Sequence, residues 1–277
     1  MDRPMKRAFP AVFVNGALAV LTVAALFPLL WMASVSLMPA GTASTLPPPL
    51  FPSAPTLAHY QEVLLRAGLL RSLGNSLFLA TVVTLCSLAF NTLAGYAFAK
   101  LEFAGRERVF RGLASSLLIP GQLALMPLFL MLKNMGLVNT YGGVIVPALA
   151  SVFGIYLVRQ YARTIPDELI EAARIDGAGE FRIFMAVILP LLRPVLASLA
   201  IFTFLASWND FMWPLIVLAD DKLQTLPVAL ASLSREHVQD NELMMAGSVL
   251  TVLPVLLLFL ALQKHYISGL LAGSVKG

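Results

Sequence analysis

Long apolar stretches separated by short polar ones run the length of this chain. A helix crossing the ~30 Å hydrocarbon core of a bilayer needs about 20 predominantly apolar residues. Six stretches meet that requirement, at about residues 11–36, 73–99, 110–132, 143–159, 188–218 and 243–263. The pattern predicts an all-α, polytopic membrane protein with six transmembrane helices, forming a single transmembrane domain over residues 1–277. The fourth stretch is short and opens after Tyr141-Gly142-Gly143; the fifth is long and is interrupted by Trp208-Asn209-Asp210. Prolines fall inside several of them, among them Pro28, Pro120, Pro127, Pro147, Pro190, Pro194, Pro214 and Pro254. Membrane helices tolerate proline because neighbouring helices and hydroxyl side chains take up the freed backbone groups.

Composition agrees with this pattern. Of 277 residues, 58% are hydrophobic and 12% are charged, against about 25% charged in an ordinary soluble domain. The mean hydropathy is +0.83, and a soluble fold could not bury that much apolar surface. The net charge is +4, but no basic patch with interleaved aromatics accompanies it, so the expected surroundings are membrane lipid and no nucleic acid. Cys86 is the single cysteine, which leaves no disulfide within the chain. The N-terminal MDRPMKR precedes an apolar run from about 9 to 37. That run is longer than the roughly 7–15 residues of a signal-peptide core, and it reads as a retained first span.

Lys and Arg set the orientation. Arg3, Lys6 and Arg7 precede span one; Lys100, Arg106, Arg108 and Arg111 follow span two; Arg159, Arg163, Arg174, Arg182 and Arg193 follow span four; Lys264 and Lys276 follow span six. The opposite side carries only Arg66, Arg71, Lys133, Lys222 and Arg235. The positive-inside rule then places both termini and the 160–187 loop in the cytoplasm. The outer loops are about 37–72 and 219–242, the first stiffened by Pro39, Pro47, Pro48, Pro49, Pro52 and Pro55.

A charged, helix-forming segment, EAARIDGAGEFRIFMAVILP, occupies residues 171–190 between spans four and five. Thr164 is placed to cap its helix, Pro166 suits the first turn, and Asp167 and Glu168 complement the N-terminal dipole. Glu171 and Arg174 stand at i,i+3 and can pair. Gly177 and Gly179 end the helix, Gly177 by taking a left-handed conformation. The expected length is about ten residues, roughly 15 Å. Ala172 and Ala173 give it a thin surface, and Phe181 and Phe184 begin a second short helix toward span five. Periodicity alone leaves two readings open: a helix lying on the bilayer surface, or a docking element for a soluble partner. No G-x-x-x-x-G-K-[ST] phosphate loop is present, so an ATPase would be on another chain. His59, His237 and His265 are far apart and read as surface residues without a role; neither a metal set nor a catalytic set is visible.

This segment resembles the EAA-loop of binding-protein-dependent ABC importers: Glu-Ala-Ala, three residues, Gly, nine residues, Ile, one residue, Leu-Pro. Glu171, Ala172, Ala173, Gly177, Leu189 and Pro190 match, and Val187 stands where Ile is usual. Further stretches extend the likeness: Asn75-Ser76-Leu77, LAGYAFAKLEFAGR at 93–106, PLFLMLKNMGLVNT at 127–140, SWNDFMWPLIVL at 207–218 and GLLAGSVKG at 269–277. Jointly and in order they resemble the carbohydrate-uptake group of ABC importer permeases, of the kind that serves as second permease in maltose-type systems. The resemblance implies a coupling helix in the 160–187 loop, with Glu171, Ala172, Ala173, Arg174, Asp176 and Gly177 meeting a cytoplasmic ATPase. It also implies a second, different permease, two ATP-binding subunits, an extracytoplasmic sugar-binding protein and a bacterial plasma (inner) membrane setting. The chain itself would hold no cofactor, ATP being bound by the partner subunits, and the mechanism would be alternating access. A maltose- or trehalose-like sugar is the expected substrate.

Asp210 is the only formal charge between Pro194 and Ala219, and an intramembrane carboxylate is a functional candidate. Trp208, Asn209, Asp210 and Trp213 are the candidate substrate pathway: aromatic faces suit sugar rings, and Asn209 and Asp210 can bond hydroxyls. The same residues equally suit a structural role, breaking the helix and capping its second half. Two other functions stay open, an importer of this architecture for a polyol or glycerol-phosphate, and a stand-alone secondary transporter. The absence of Lys or Arg deep in a span favours a neutral solute, and a lone Asp210 is thin support for an ion relay.

Overall fold

The computed structural model describes residues 5–66, 68–236 and 240–272. His237, Arg3, Lys276 and the end of the 269–277 stretch lie outside the described residues. In chain order the helices are α1 Met5–Val35, α2 Ala58–Gln61, α3 Leu69–Lys100, α4 Arg106–Ser115, α5 Leu125–Asn134, α6 Tyr141–Ala148, α7 Val152–Ala162, α8 Glu168–Ile175, α9 Glu180–Ile183, α10 Leu189–Leu191, α11 Arg193–Trp208, α12 Met212–Val217, α13 Leu226–Glu236 and α14 Asn241–Ala272. No strand occurs among the described residues.

Phe13–Val35, Leu69–Lys100, Tyr141–Ala162 and Asn241–Leu260 are each long and apolar enough to cross a membrane. Two bent pairs raise the total to as many as 6: Arg106–Leu118 with Gly121–Asn134, turning through 100°, and Glu180–Leu191 with Arg193–Trp208, turning through 76°. The protein is therefore an all-helical, polytopic membrane protein. Phe13, Leu18, Leu21 and Leu30 stay exposed along α1, as lipid-facing side chains do and as water-facing ones could not.

The departures from the expected straight spans have local causes. The 110–132 stretch is two helices because Pro120 cannot donate to the preceding turn and holds Ile119 extended, at ψ 120°. In the 188–218 stretch, Pro190 and Pro194 remove two donors in succession, and the chain passes through a π-helical turn at Phe184–Ile188 before bending. The fourth span is longer than expected, Tyr141–Ala162, and pauses between α6 and α7.

The chain divides into two compact units, Met1–Leu70 with Leu230–Leu253, and Arg71–Ala229 with Pro254–Gly277. In the first, the proline-rich loop folds back on itself: Thr56 N donates to Leu37 O at 2.9 Å, and the Ser36 and Tyr60 hydroxyls meet at 2.7 Å. His59 is not the surface residue expected. It is buried, its Nε2 lying 2.9 Å from the Met38 carbonyl oxygen. Buried Glu242 accepts from Ala43 N at 2.7 Å through Oε1.

The second unit holds two apolar clusters. One gathers Tyr96 of α3, Val158 and Ala162 of α7, Ile170 of α8, and Ile183, Phe184, Ile188, Leu192, Val195 and Leu199 leading into α11. The other joins Leu79, Leu132, Val144, Trp213, Val217 and Leu218. α3 and α7 approach closely at Gly95, where a Cβ would lie 2.6 Å from Val158 Cβ. Beside that contact, buried Arg159 donates to Phe98 O at 3.2 Å, pairs with Glu107 at 2.8 Å and lies 3.8 Å from the centre of the Phe110 ring. One side chain thus fastens α3, α4 and α7 together.

Gly95→Leu places a side chain where no space exists. Overpacking of this kind costs about 1–3 kcal/mol, and the expected result is a lower Tm for the detergent-solubilised protein, with Gly95→Ala falling between the variant and the parent.

Candidate functional site

The α8 segment is built as a rigid, short helix. Asp167 O accepts from Ile170 N and Glu171 N, and Glu168 and Glu171 stand in the first turn, where negative charge is favourable. The C-terminus is closed by a pair of bonds, Ala178 N to Ala173 O and Gly177 N to Arg174 O, both 3.0 Å. This closure requires a left-handed residue at Gly177, whose φ is +78°. α8 spans 8 residues rather than about ten. Thr164 does not cap it; its hydroxyl donates to Tyr161 O at 2.8 Å in the preceding turn. Arg174 pairs with Glu180 at 2.7 Å rather than with Glu171, because the Gly177 turn brings α9 back alongside.

The helix has two faces. Ile170 is buried and Ala173 half-buried against the apolar cluster of α3, α7 and α11. The other face leaves Leu169, Glu171, Ala172, Ile175 and Asp176 exposed, and Phe181 and Met185 of the following turns continue it. Ile175 is 87% exposed and Phe181 75%. Ala172 thus faces outward as expected, whereas Ala173 belongs to the inner packing.

A second feature is a cleft of about 550 Å³ among α3, α5, α6, α7 and α11. Asp210 and Trp213 line it; Trp208 and Asn209 do not, and neither does any α8 residue. Trp208 is fully buried, stacked on Phe204 at 5.9 Å. Asn209 donates to Leu205 O at 2.9 Å and closes the end of α11. Asp210 Oδ1 accepts from Trp213 N at 3.3 Å, in the first turn of α12, while also lining the cleft. Trp213 Nε1 donates to Gly143 O at 3.0 Å, which fastens α12 to α6.

Thr203 and Ser207 stand four residues apart on α11, and Asp210 follows just beyond the helix end; all three line the cleft as a polar strip. Across it, Ser87 and Ser151 belong to a network around Asn91, which has no exposed surface. Asn91 Nδ2 donates to Ser87 Oγ at 2.7 Å, and Asn91 Oδ1 accepts from Ser151 N at 2.9 Å. This holds the break between α6 and α7, where backbone groups would otherwise be orphaned. Asn91 was legible as a lone amide in an apolar run, but nothing in sequence tied it to Ser151.

Residues 92–270 match the family of binding-protein-dependent transport system inner membrane components. The chain belongs to that family. The permease is 41% identical over 82% of its length to the arabinooligosaccharides transport system permease protein AraQ of Halalkalibacterium halodurans, covering 81% of that protein. It is 37% identical over 82% of its length to the melibiose/raffinose/stachyose import permease protein MelC of Bacillus subtilis, covering 84% of it. In fold it is similar to a chain of a bacterial ABC transporter involved in the import of the acidic polysaccharide alginate, with a TM-score of 0.84, 23% identity, and 96% and 99% of the two chains covered. The permease is thus the inner-membrane component of an ABC transport system, which works with an ATPase and a binding protein.

The bond from Trp213 N to Asp210 predicts how Asp210 variants behave. Asp210→Asn keeps an acceptor for Trp213 N and leaves Tm nearly unchanged. Asp210→Leu loses it at a cost of about 1 kcal/mol, lowering the Tm of the solubilised complex.

Proposed function

We propose that this permease is one of two unlike membrane subunits of an ATP-driven importer of neutral di- or oligosaccharides, and that α8 docks on a cytoplasmic ATPase. The observation that carries this reading is the outward face of α8 and α9. A short helix closed at Gly177 presents Leu169, Ala172, Ile175 and Phe181 beside Glu171 and Asp176. A single chain leaves this surface uncovered, and a groove on a soluble partner would bury it. In that role Glu171, Ala172, Arg174, Asp176 and Gly177 shape the contact, while Ala173 seats the helix on the core.

With the positive-inside rule, this surface and both termini lie in the cytoplasm. Two ATP-binding subunits close on ATP and drive the coupling helices of the two permeases together. The membrane helices then open outward, receive sugar from an extracytoplasmic binding protein, and reset on hydrolysis. Closure acts through differential contacts between the two states, as any such shift must.

The cleft supports a neutral, hydroxyl-rich solute. Its polar side is the Thr203, Ser207 and Asp210 stripe, its aromatic side is Phe153 and Phe202, and neither Lys nor Arg lines it. An anionic solute such as a glycerol phosphate calls for cationic partners. The relatives named for arabino-oligosaccharides and for melibiose, raffinose and stachyose support an oligosaccharide. A maltose- or trehalose-type substrate rests on motif resemblance alone.

Gly177→Arg combines bulk at the docking face with a left-handed φ that L-residues rarely adopt. The expected outcome in proteoliposomes is an assembled complex that hydrolyses ATP and moves less than about a tenth of the parental sugar, a transition handicap of at least about 1.4 kcal/mol. Normal uptake by an assembled Gly177→Arg complex would overturn the docking role. Thr203→Val with Ser207→Ala is expected to raise the KM for sugar about fivefold, the loss of a hydrogen bond of about 1 kcal/mol; unchanged KM would remove the stripe from the pathway.

A further inference from the structure

Two side chains one turn apart on α3 hold the α8 segment from both sides. Lys100 Nζ donates to Asp167 Oδ1 at 2.6 Å and to Ile165 O at 2.5 Å, immediately before α8 begins. The Lys100 side chain is 5% exposed and the Asp167 side chain 74%, so the fixed partner is the lysine. Tyr96 Oη donates to Glu180 Oε2 at 3.4 Å, and Glu180 Oε1 in turn holds Arg174, in the last turn of α8, at 2.7 Å. Tyr96 also packs on Phe184 with ring centres 5.1 Å apart. The segment is therefore mounted on α3 at its entry and at its exit.

From that mount α3 continues as an uninterrupted helix to Leu69. About a third of the way along, Asn91 holds the α6–α7 break through Ser151. Near the far end, Asn75 Nδ2 donates to Lys222 O and Gln224 O, both at 2.9 Å; its Oδ1 accepts from Tyr141 Oη at 2.7 Å. Ser76 Oγ there accepts from Leu226 N at 2.8 Å. Asn75 and Lys100 are separated by about 38 Å along the axis, at ~1.5 Å per residue. One rod thus links α8, the wall of the cleft and the loop at the opposite membrane face.

The covalent route from α8 is poorer. It passes through the π-helical turn Phe184–Ile188, a 76° bend, and a second break at Asn209-Asp210 before reaching α12. At each of these the helix axis changes direction or the helical hydrogen bonding is interrupted, so the route has no single straight element.

We propose that α3 is the element that carries the movement of α8 across the membrane, and that Lys100 and Tyr96 are the positioning residues that join it to α8. The inference rests on α8 being the docking element. Displacement of α8 tilts α3, and α3 shifts the cleft wall at Val83 and Ser87, the latter held by Asn91, and the outer loop at Asn75 and Ser76 in the same stroke.

The test uses the full complex with its binding protein in proteoliposomes and reads sugar molecules moved per ATP hydrolysed. Tyr96→Phe combined with Asp167→Asn removes one hydroxyl and one exposed charge. The expected result is retained assembly and hydrolysis with the ratio lowered at least about fivefold, a usual size for coupling between sites. Lys100→Met is expected to do the same, with no further loss on adding Asp167→Asn, and Lys100→Arg to restore the ratio. Should Lys100→Met fail to assemble, the Tyr96→Phe/Asp167→Asn protein decides alone. An unchanged ratio in an assembled complex, or hydrolysis and uptake falling in parallel, overturns the inference. Gly177→Arg run beside them separates the two claims. If it uncouples while the α3 variants do not, only the α3 route fails; if it transports normally, the docking role fails first.

Discussion

Inside a bilayer a free backbone N–H or C=O has no water to turn to, so every helix break must be closed by another part of the protein. This permease breaks its helices repeatedly, and its architecture is largely the set of side chains that close those breaks. Asn91 receives the Ser151 amide between α6 and α7, Asp210 receives the Trp213 amide between α11 and α12, and Asn209 returns a donor to Leu205. Asn139, held at a positive φ of 59°, receives the amides of both Ala219 and Asp220. Asn91, the innermost of these, has no exposed surface at all.

The breaks also shape the cleft. Two breaks place polar groups on the cleft wall, Ser151 between α6 and α7 and Asp210 between α11 and α12, beside hydroxyls carried by intact helices. Thr203 and Ser207 reach the cleft from α11, and Ser87 and Ser151 from the opposite wall. Against this background of bent helices, α3 stands out as the one that passes the α8 segment, the cleft and the 222–226 loop without interruption. Its glycine at Gly95 lets α7 seat directly on it, and the Arg159 joint adds α4.

Much of this was readable in the sequence, and for definite reasons. Span positions follow from the length of apolar runs, which the bilayer sets. The left-handed Gly177 follows from a charged helix that must stop before Gly179, and the interruption at Trp208-Asn209-Asp210 from three consecutive residues poor in a lipid-facing helix. What could not be read was pairing at long range. Nothing local says that Arg174 turns to Glu180 instead of Glu171, that Lys100 reaches Asp167, or that His59 is enclosed by its own loop. The bends at Pro120 and Pro190–Pro194 were signalled by residue type, but their angles depend on packing. Trp208, expected to present its ring to sugar, is instead buried and stacks on Phe204 one turn earlier in α11.

The central claim is that this permease moves a neutral oligosaccharide only as part of an ATP-driven assembly. The most direct measurement is uptake of labelled oligosaccharide into proteoliposomes. One set would contain this permease with its second permease, ATPase and binding protein; the other would contain this permease alone under a proton or sodium gradient. The account predicts uptake in the first set that requires ATP and binding protein, and none in the second. Gradient-driven uptake by the single chain, at a rate comparable with the assembly, would contradict it.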